Sequence, residues 1–168
     1  MIVYRDATLA DAVALAKLGG DSFTQTFGHL YARADLMLFL DNHTVAAWGA
    51  ELDEPAFAVR IAEQDGAMIG YAKLGPPHLP FTPTSAAAEL RQLCVLAPWH
   101  GAGVAAALIE WVITSARARG ADELFLSVFT DNHRARRFYE RHGFEPVGTY
   151  AFMVGTHADE DIVMKLKL

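Results

Sequence analysis

From residue 89 to residue 129 the chain reads strand, glycine loop, helix, strand, and this run constrains the fold more than any other segment. Residues 89–96 are apolar and β-rich, Gly101 and Gly103 interrupt them, and residues 104–119 repeat apolar side chains at helical spacing. Gly120 stands just past that helix, where a left-handed residue ends it. Residues 124–129 are again apolar and β-rich. A strand, a helix and a second strand in that order close into a parallel pair through a right-handed crossover.

The remaining elements are added around that unit. Residues 2–5 read as a short strand, and Thr8 as the N-cap of a helix whose apolar stripe is Leu9, Ala12, Val13 and Ala16. Helices follow at 33–41, around Leu36, Met37 and Leu40, and at 43–52, around Val45, Ala46 and Trp48. Residues 56–63 and 67–74 form a hairpin about Asp65-Gly66. Residues 75–83 contain Pro76, Pro77, Pro80 and Pro83, which remove ladder donors, so an exposed loop is expected there. Asp131 or Asn132 caps a helix that runs through His142 and stops at Gly143, and residues 144–154 and 161–168 alternate as two more strands. The sum is an α+β fold in a single domain, 1–168. Its centre is a mixed, mostly antiparallel sheet of about seven strands, with four to five helices on both faces.

Composition narrows the setting. At 168 residues and 52 % hydrophobic content the chain can bury a full core without covalent staples. Cys94 is the one cysteine, which excludes an intrachain disulfide and suits a reducing, cytoplasmic environment. The start, Met1-Ile2-Val3-Tyr4-Arg5-Asp6, lacks the basic flank and apolar block of a signal peptide, and Glu110 cuts the longest apolar run, so no membrane partner is expected. A net charge of -6 argues against a nucleic-acid partner. The charge is uneven. Asp21, Asp35, Asp41, Glu51, Asp53, Glu54, Glu63 and Asp65 face only Arg33 and Arg60 in residues 19–65, while Arg117, Arg119, Arg134, Arg136, Arg137 and Arg141 gather later. One end then suits a cation and the other an anion, or both are solvated faces.

Gly101-Ala102-Gly103-Val104-Ala105-Ala106 spells G-x-G-x-x-A, the dinucleotide fingerprint. The context does not fit it. Pro98-Trp99-His100 separates the strand from the first glycine, Asp122 and Glu123 precede the next strand instead of ending it, and Asp131 comes late. A P-loop is excluded because Val104-Ala105 stands where a lysine and a hydroxyl residue are needed. Two readings survive: backbone amides at a helix N-terminus that cradle an anion, or a tight turn that only permits close packing.

The run from Leu90 to Leu108, with Ala97-Pro98-Trp99-His100-Gly101-Ala102-Gly103-Val104-Ala105 at its centre, and the run from Asn132 to Phe144 together resemble the GCN5-related N-acetyltransferase family. The resemblance implies that His100, Gly101, Ala102, Gly103, Val104 and Ala105 hold the pyrophosphate of acetyl-coenzyme A. His100 stands where the family pattern has Gln or Arg. The second pattern, N-x-x-A-x-x-F-Y-x-x-x-G-F, falls on Asn132, Ala135, Phe138, Tyr139, Gly143 and Phe144. The segment Ser22-Phe23-Thr24-Gln25-Thr26-Phe27-Gly28-His29, the tail Phe152-Met153-Val154-Gly155 and Asp161 resemble the PaiA-type acetyltransferases, which act on polyamines.

The resemblance further implies that the strand before the loop splays from its neighbour and frees backbone around Leu93, Cys94 and Val95 for the pantetheine arm. Asn132 bonds that arm or serves as an N-cap, and Arg136, with Arg134 and Arg137, meets the 3′-phosphate or solvent. Tyr139 becomes the acid that protonates the leaving thiolate, or else a core tyrosine. Glu89 becomes the base, directly or through water, or a strand-end carboxylate paired with Arg91 or Arg60. By alternation Glu89 shares a face with Arg91, Leu93 and Val95. Cys94 is a buried apolar thiol and not a nucleophile. The acceptor is expected over the first two helices near Phe23, Phe27, His29 and Tyr31, whose aromatic rings equally suit a core. No metal-ligand spacing is present. The expected activity is direct acetyl transfer to a primary amine of a small molecule, such as a polyamine, or of a peptide; the alternative is a module that holds acyl-coenzyme A without turnover. A homodimer is compatible with this reading.

Overall fold

The computed structural model describes residues 1–168. Seven strands form one sheet: β1 (Ile2–Asp6), β2 (Ala58–Gln64), β3 (Ala67–Gly75), β4 (Ala87–Val95), β5 (Glu123–Phe129), β6 (Glu145–Val154) and β7 (His157–Lys167). Their order is β1-β2-β3-β4-β5-β7-β6, and only β4 and β5 run parallel. Five helices complete the chain: α1 (Ala12–Phe27), α2 (Arg33–Asp41), α3 (Val45–Asp53), α4 (Val104–Ala118) and α5 (His133–Arg141). The expected strand and helix order therefore holds.

The sheet carries a core on each face. Val104, Leu108, Ile109, Val112 and Ala116 of α4 pack on Ala72, Leu74, Leu90 and Leu126, with Tyr139 and Phe144 at the edge. Burying an aliphatic side chain of this size contributes about 1.5–3 kcal/mol. On the other face Leu15 and Leu18 of α1 and Trp48 of α3 cover Val59, Ile61 and Tyr71. Leu79, Phe125 and Val163 make a third, smaller cluster.

Local chemistry sets the boundaries. Asp65 (φ 52°) and Gly66 (φ 79°) make the two-residue turn between β2 and β3. At the end of α4, Gly120 (φ 85°) lets the Ala121 amide reach the Ala116 carbonyl at 3.0 Å. Gly143 (φ 90°) does the same for α5, bringing the Phe144 amide to the Tyr139 carbonyl at 3.1 Å. Asn132 is the cap of α5, its Oδ1 accepting from the Ala135 amide.

Four expectations are corrected. The stripe Leu9, Ala12, Val13, Ala16 is out of phase: Thr8 and Asp11 close a capping box over a 3-10 turn, and α1 restarts at Ala12 and buries Ala12, Leu15 and Leu18. Leu9 and Val13 are left exposed. The helix expected from 43 begins at Val45, because Thr44 caps it and His43 turns back to the Phe39 carbonyl. The last strand starts at His157 and not at 161, since Gly155 and Thr156 form a tight turn that Asp35 caps through the Thr156 amide and hydroxyl. The proline-rich loop is not wholly exposed: Leu79 is buried against Phe125 and Val163.

The fourth of these loops back on β4, where a bulge matters for the site. Lys73 pairs with Gln92 and Leu74 with Leu90, so Arg91 is the extra residue. The bulge shifts the alternation by one. Ala88, Leu90, Leu93 and Val95 face α4, whereas Glu89 and Cys94 face the α1 side, opposite to the expected grouping of Glu89 with Leu93 and Val95.

Candidate active site

β4 and β5 pair only at Ala87↔Glu123, Ala88↔Leu124 and Glu89↔Phe125. Beyond that point β4 follows β3 to Val95 and β5 follows β7 to Phe129, so the sheet opens into a V. A cleft of about 790 Å³ occupies the opening. Its wall includes Glu89, Leu93, Cys94, Val95, His100, Gly101, Gly103, Ala105, Asn132, Tyr139 and Phe27. Ala102, Val104, Arg136, His29 and Tyr31 are not part of that wall.

At one end lies the glycine loop. Gly101 and Gly103 both adopt φ 83°, and Gly103 is the N-cap of α4. The amides of Gly101, Gly103, Val104, Ala105 and Ala106 have no backbone acceptor, so five donors converge at the positive end of a 15-residue helix. A Cβ at either glycine would meet no protein atom within 4 Å. The left-handed backbone is what demands glycine here, and the space it leaves opens toward the cleft. This donor set fits a pyrophosphate.

His100 is committed to the protein on both ring nitrogens. Its Nε2–H donates to the Val95 carbonyl at 2.7 Å, and its Nδ1 accepts from Arg134 Nη1 at 2.6 Å. A carbonyl only accepts and a guanidinium only donates, which assigns the tautomer. The Val95 carbonyl freed by the splay is thus taken by His100. Arg134 is drawn to the rim of the cradle, while Arg136 turns away to the Thr130 carbonyl at 3.0 Å. Arg136 thus lies off the cleft wall, whereas Arg134 lies on it beside the cradle.

Tyr139 is buried, with its ring against Phe138 and Phe144 at 5.3 and 5.8 Å. Burial alone raises its pKa above the ordinary phenol value. Its hydroxyl makes no protein hydrogen bond, yet no fully buried polar atom lacks a partner, so the oxygen reaches the cleft. Cys94 also lines the cleft, and burial raises its thiol against a weaker opposing hydrogen bond with Ser22, which leaves it unreactive.

Glu89 is 2 % exposed. Its Oε2 accepts from the His78 amide at 2.8 Å and from His78 Nδ1 at 2.6 Å, with Arg91 Nε at 3.8 Å. Arg60 bonds Asp6 instead. His78 was not legible as a site residue, because the prolines around it signal only a loop. A further ion pair was missed because its partners are distant in sequence: Lys73 on β3 meets Glu51 on α3 and lies 4.3 Å over the Trp48 ring. Burial lowers the Lys73 pKa, and the Glu51 contact works against that shift.

One side of the cleft is aromatic. Phe23, Phe27, Phe39, Tyr150 and Phe152 line it, with Phe23 and Phe39 stacked at 4.2 Å. Tyr31 stacks outside on Phe23, and its hydroxyl donates to Asp159; His29 is exposed on the following turn. Both were expected at the acceptor; neither lines the cleft, Tyr31 because it satisfies a buried carboxylate. Of the eight early acids only Glu51 lines the cleft; Asp35 caps a turn and Glu63 holds Arg5.

A splayed parallel pair with an amide cradle at the crossover helix is the arrangement of an acetyltransferase fold. Residues 20–144 match the model of the Acetyltransferase (GNAT) family, and the chain belongs to that family of N-acetyltransferases. Acetyl-coenzyme A is its acetyl donor. The chain is 34 % identical to an uncharacterised N-acetyltransferase of Mycobacterium tuberculosis, over 95 % of this chain and 99 % of the relative. An L-amino acid N-acetyltransferase of Escherichia coli is 30 % identical over 68 % of this chain and 72 % of its own. Among solved structures, the PaiA N-acetyltransferase of Thermoplasma acidophilum in complex with coenzyme A superposes with a TM-score of 0.80 at 17 % identity, covering 100 % of this chain and 99 % of the other. No helix is long and apolar enough to cross a membrane.

Proposed function

We propose that this single domain, 1–168, is a cytoplasmic enzyme that transfers an acetyl group directly to a primary amine of a small molecule or peptide. The observation that carries the reading is the convergence in one cleft of the unpaired amides of Gly101, Gly103, Ala105 and Ala106, the Tyr139 hydroxyl and the Glu89 carboxylate. Acetyl-coenzyme A supplies an activated acetyl thioester. Gly101, Gly103 and the first turn of α4 bind its pyrophosphate, with Arg134 adding charge from the rim. Backbone at Leu93 and Cys94 and the Asn132 side chain flank the arm. Tyr139 donates a proton to the leaving thiolate, and Glu89 serves the deprotonation of the acceptor ammonium, directly or through a neighbouring group.

The name of the Escherichia coli relative points to an amino acid, whereas the resemblance to PaiA-type enzymes implies a polyamine. The aromatic wall with Glu51 and Glu89 accommodates a cation of either kind. A second reading, retention of acyl-coenzyme A without turnover, is favoured by His100, whose ring is turned inward. The free hydroxyl of Tyr139 favours the enzyme. Calorimetric titration with acetyl-coenzyme A, followed by thiol release on adding a diamine, an L-amino acid or a peptide with a free α-amine, tests both. Binding with no thiol release from any amine would leave the retention reading and end the enzymatic one.

A further inference from the structure

We propose that His78 and Glu89 form a proton-accepting dyad, in which Nε2 of His78, not an oxygen of Glu89, takes the proton from the acceptor ammonium. This rests on the acetyl-transfer reading above. Glu89 Oε2 accepts two hydrogen bonds, from the backbone N–H of His78 and from its Nδ1. An ionised carboxylate only accepts, so with Glu89 ionised Nδ1 carries the ring hydrogen, and in the neutral imidazole Nε2 then carries the lone pair. Burial separates the two partners. The Glu89 side chain is 2 % exposed, the His78 side chain is 54 % exposed, and both line the cleft. The carboxylate is thus enclosed behind the imidazole, and the basic nitrogen is the one that a cleft-bound amine can reach.

The arrangement reproduces the logic of a carboxylate that fixes a histidine tautomer and stabilises the imidazolium. One N–H bond of the ammonium breaks and one N–H bond forms at Nε2, leaving a neutral amine with a free lone pair and a protonated His78. The exposed ring then returns the proton to solvent. The charged and titratable neighbours are Arg91 beside Glu89 on β4, Tyr150 from β6 and Asp161 from β7. Pro76, Pro77 and Pro80 hold the loop that presents His78, and the buried Leu79 anchors it.

Full-length protein labelled with 15N-histidine tests the dyad without any ligand. The imidazole signal lost in His78→Gln should show the Nδ1–H tautomer in the wild type; an Nε2–H tautomer overturns the proposal. With whichever of putrescine, L-methionine or a free-amine tripeptide turns over fastest, His78→Ala should lower kcat about a hundredfold. Its affinity for acetyl-coenzyme A should stay within about twofold, and added imidazole should restore part of the rate. Wild-type turnover in His78→Ala, or a loss that imidazole does not relieve, overturns the dyad alone. A wild type that releases no thiol with any of these amines overturns the acetyl-transfer reading, and the dyad with it.

Discussion

His100 and Arg134 are clasped at 2.6 Å, and the same imidazole holds the Val95 carbonyl at 2.7 Å, tying the end of β4 to the start of α5 across the mouth of the amide cradle. The contact keeps a guanidinium beside five unpaired amides. Removing it by Arg134→Ala should weaken acetyl-coenzyme A binding about tenfold, the effect of one charge-assisted hydrogen bond of roughly 1.5 kcal/mol. Calorimetric titration at two salt concentrations checks this, and the deficit should shrink at high salt. An unchanged affinity would show that Arg134 serves only the clasp.

Gly103 and Gly120 form a matched pair, with φ 83° and 85° and open space at the Cβ position of each. Alanine at either site should destabilise the fold by about 1–2 kcal/mol through left-handed strain. Gly103→Ala should in addition reduce acetyl-coenzyme A affinity at least about tenfold, because its Cβ enters the cradle. Gly120→Ala, at the far end of α4, should leave affinity unchanged. Thermal unfolding and titration of the two variants separate strain from obstruction, and equal affinities would remove Gly103 from the cradle.

Tyr139→Phe deletes a hydroxyl that has no protein partner. Stability should therefore hold or rise slightly, and acetyl-coenzyme A affinity should stay within about twofold. Turnover should fall at least about tenfold if the phenol protonates the leaving thiolate. Steady-state thiol release and urea unfolding of the same preparation read the two effects. Undiminished turnover would assign the acid role to water.

What was legible in the chain was local. The Asp65-Gly66 turn, the α4 stripe ended by Gly120, and the Asn132 cap with the Gly143 stop each depend on residues close together in sequence. Gly101, Gly103 and Tyr139, which motif spacing within one segment singled out, all line the cleft for the same reason. Features set by pairing between distant segments were not legible. The bulge at Arg91 arises from register against β3 and turns Glu89 to the opposite face. His78 meets Glu89 only because Leu79 finds a cavity on the sheet. Tyr31 lies off the cleft because β7 offers it Asp159, and among the early acids Asp35 is held by a turn and Glu63 by Arg5, which charge counting cannot foresee.

Asp161, 5 % exposed on β7, gives a pH signature of its own. Burial raises its carboxyl to about 6 from 3.8, Asp159 adds to the shift, and a hydrogen bond with Ser127 opposes it. Between about pH 4 and pH 6 the folded chain therefore holds more protons than the unfolded chain, and stability falls as pH rises through that window. Asn at this position keeps a polar side chain beside Ser127 and removes the buried charge. In urea unfolding Asp161→Asn should be more stable than the wild type at about pH 7.5, by on the order of 1–2 kcal/mol. The difference should vanish near about pH 4, where the wild-type group is neutral in the fold. Asp11 supplies the opposite slope: Arg5 and the Thr8 amide hold its carboxyl down to about 2, so its contribution is present above about pH 4 and disappears as pH falls toward 2. An Asp161→Asn variant no more stable than the wild type at neutral pH would mean that the buried carboxyl carries its charge without cost, through partners that Asn cannot replace.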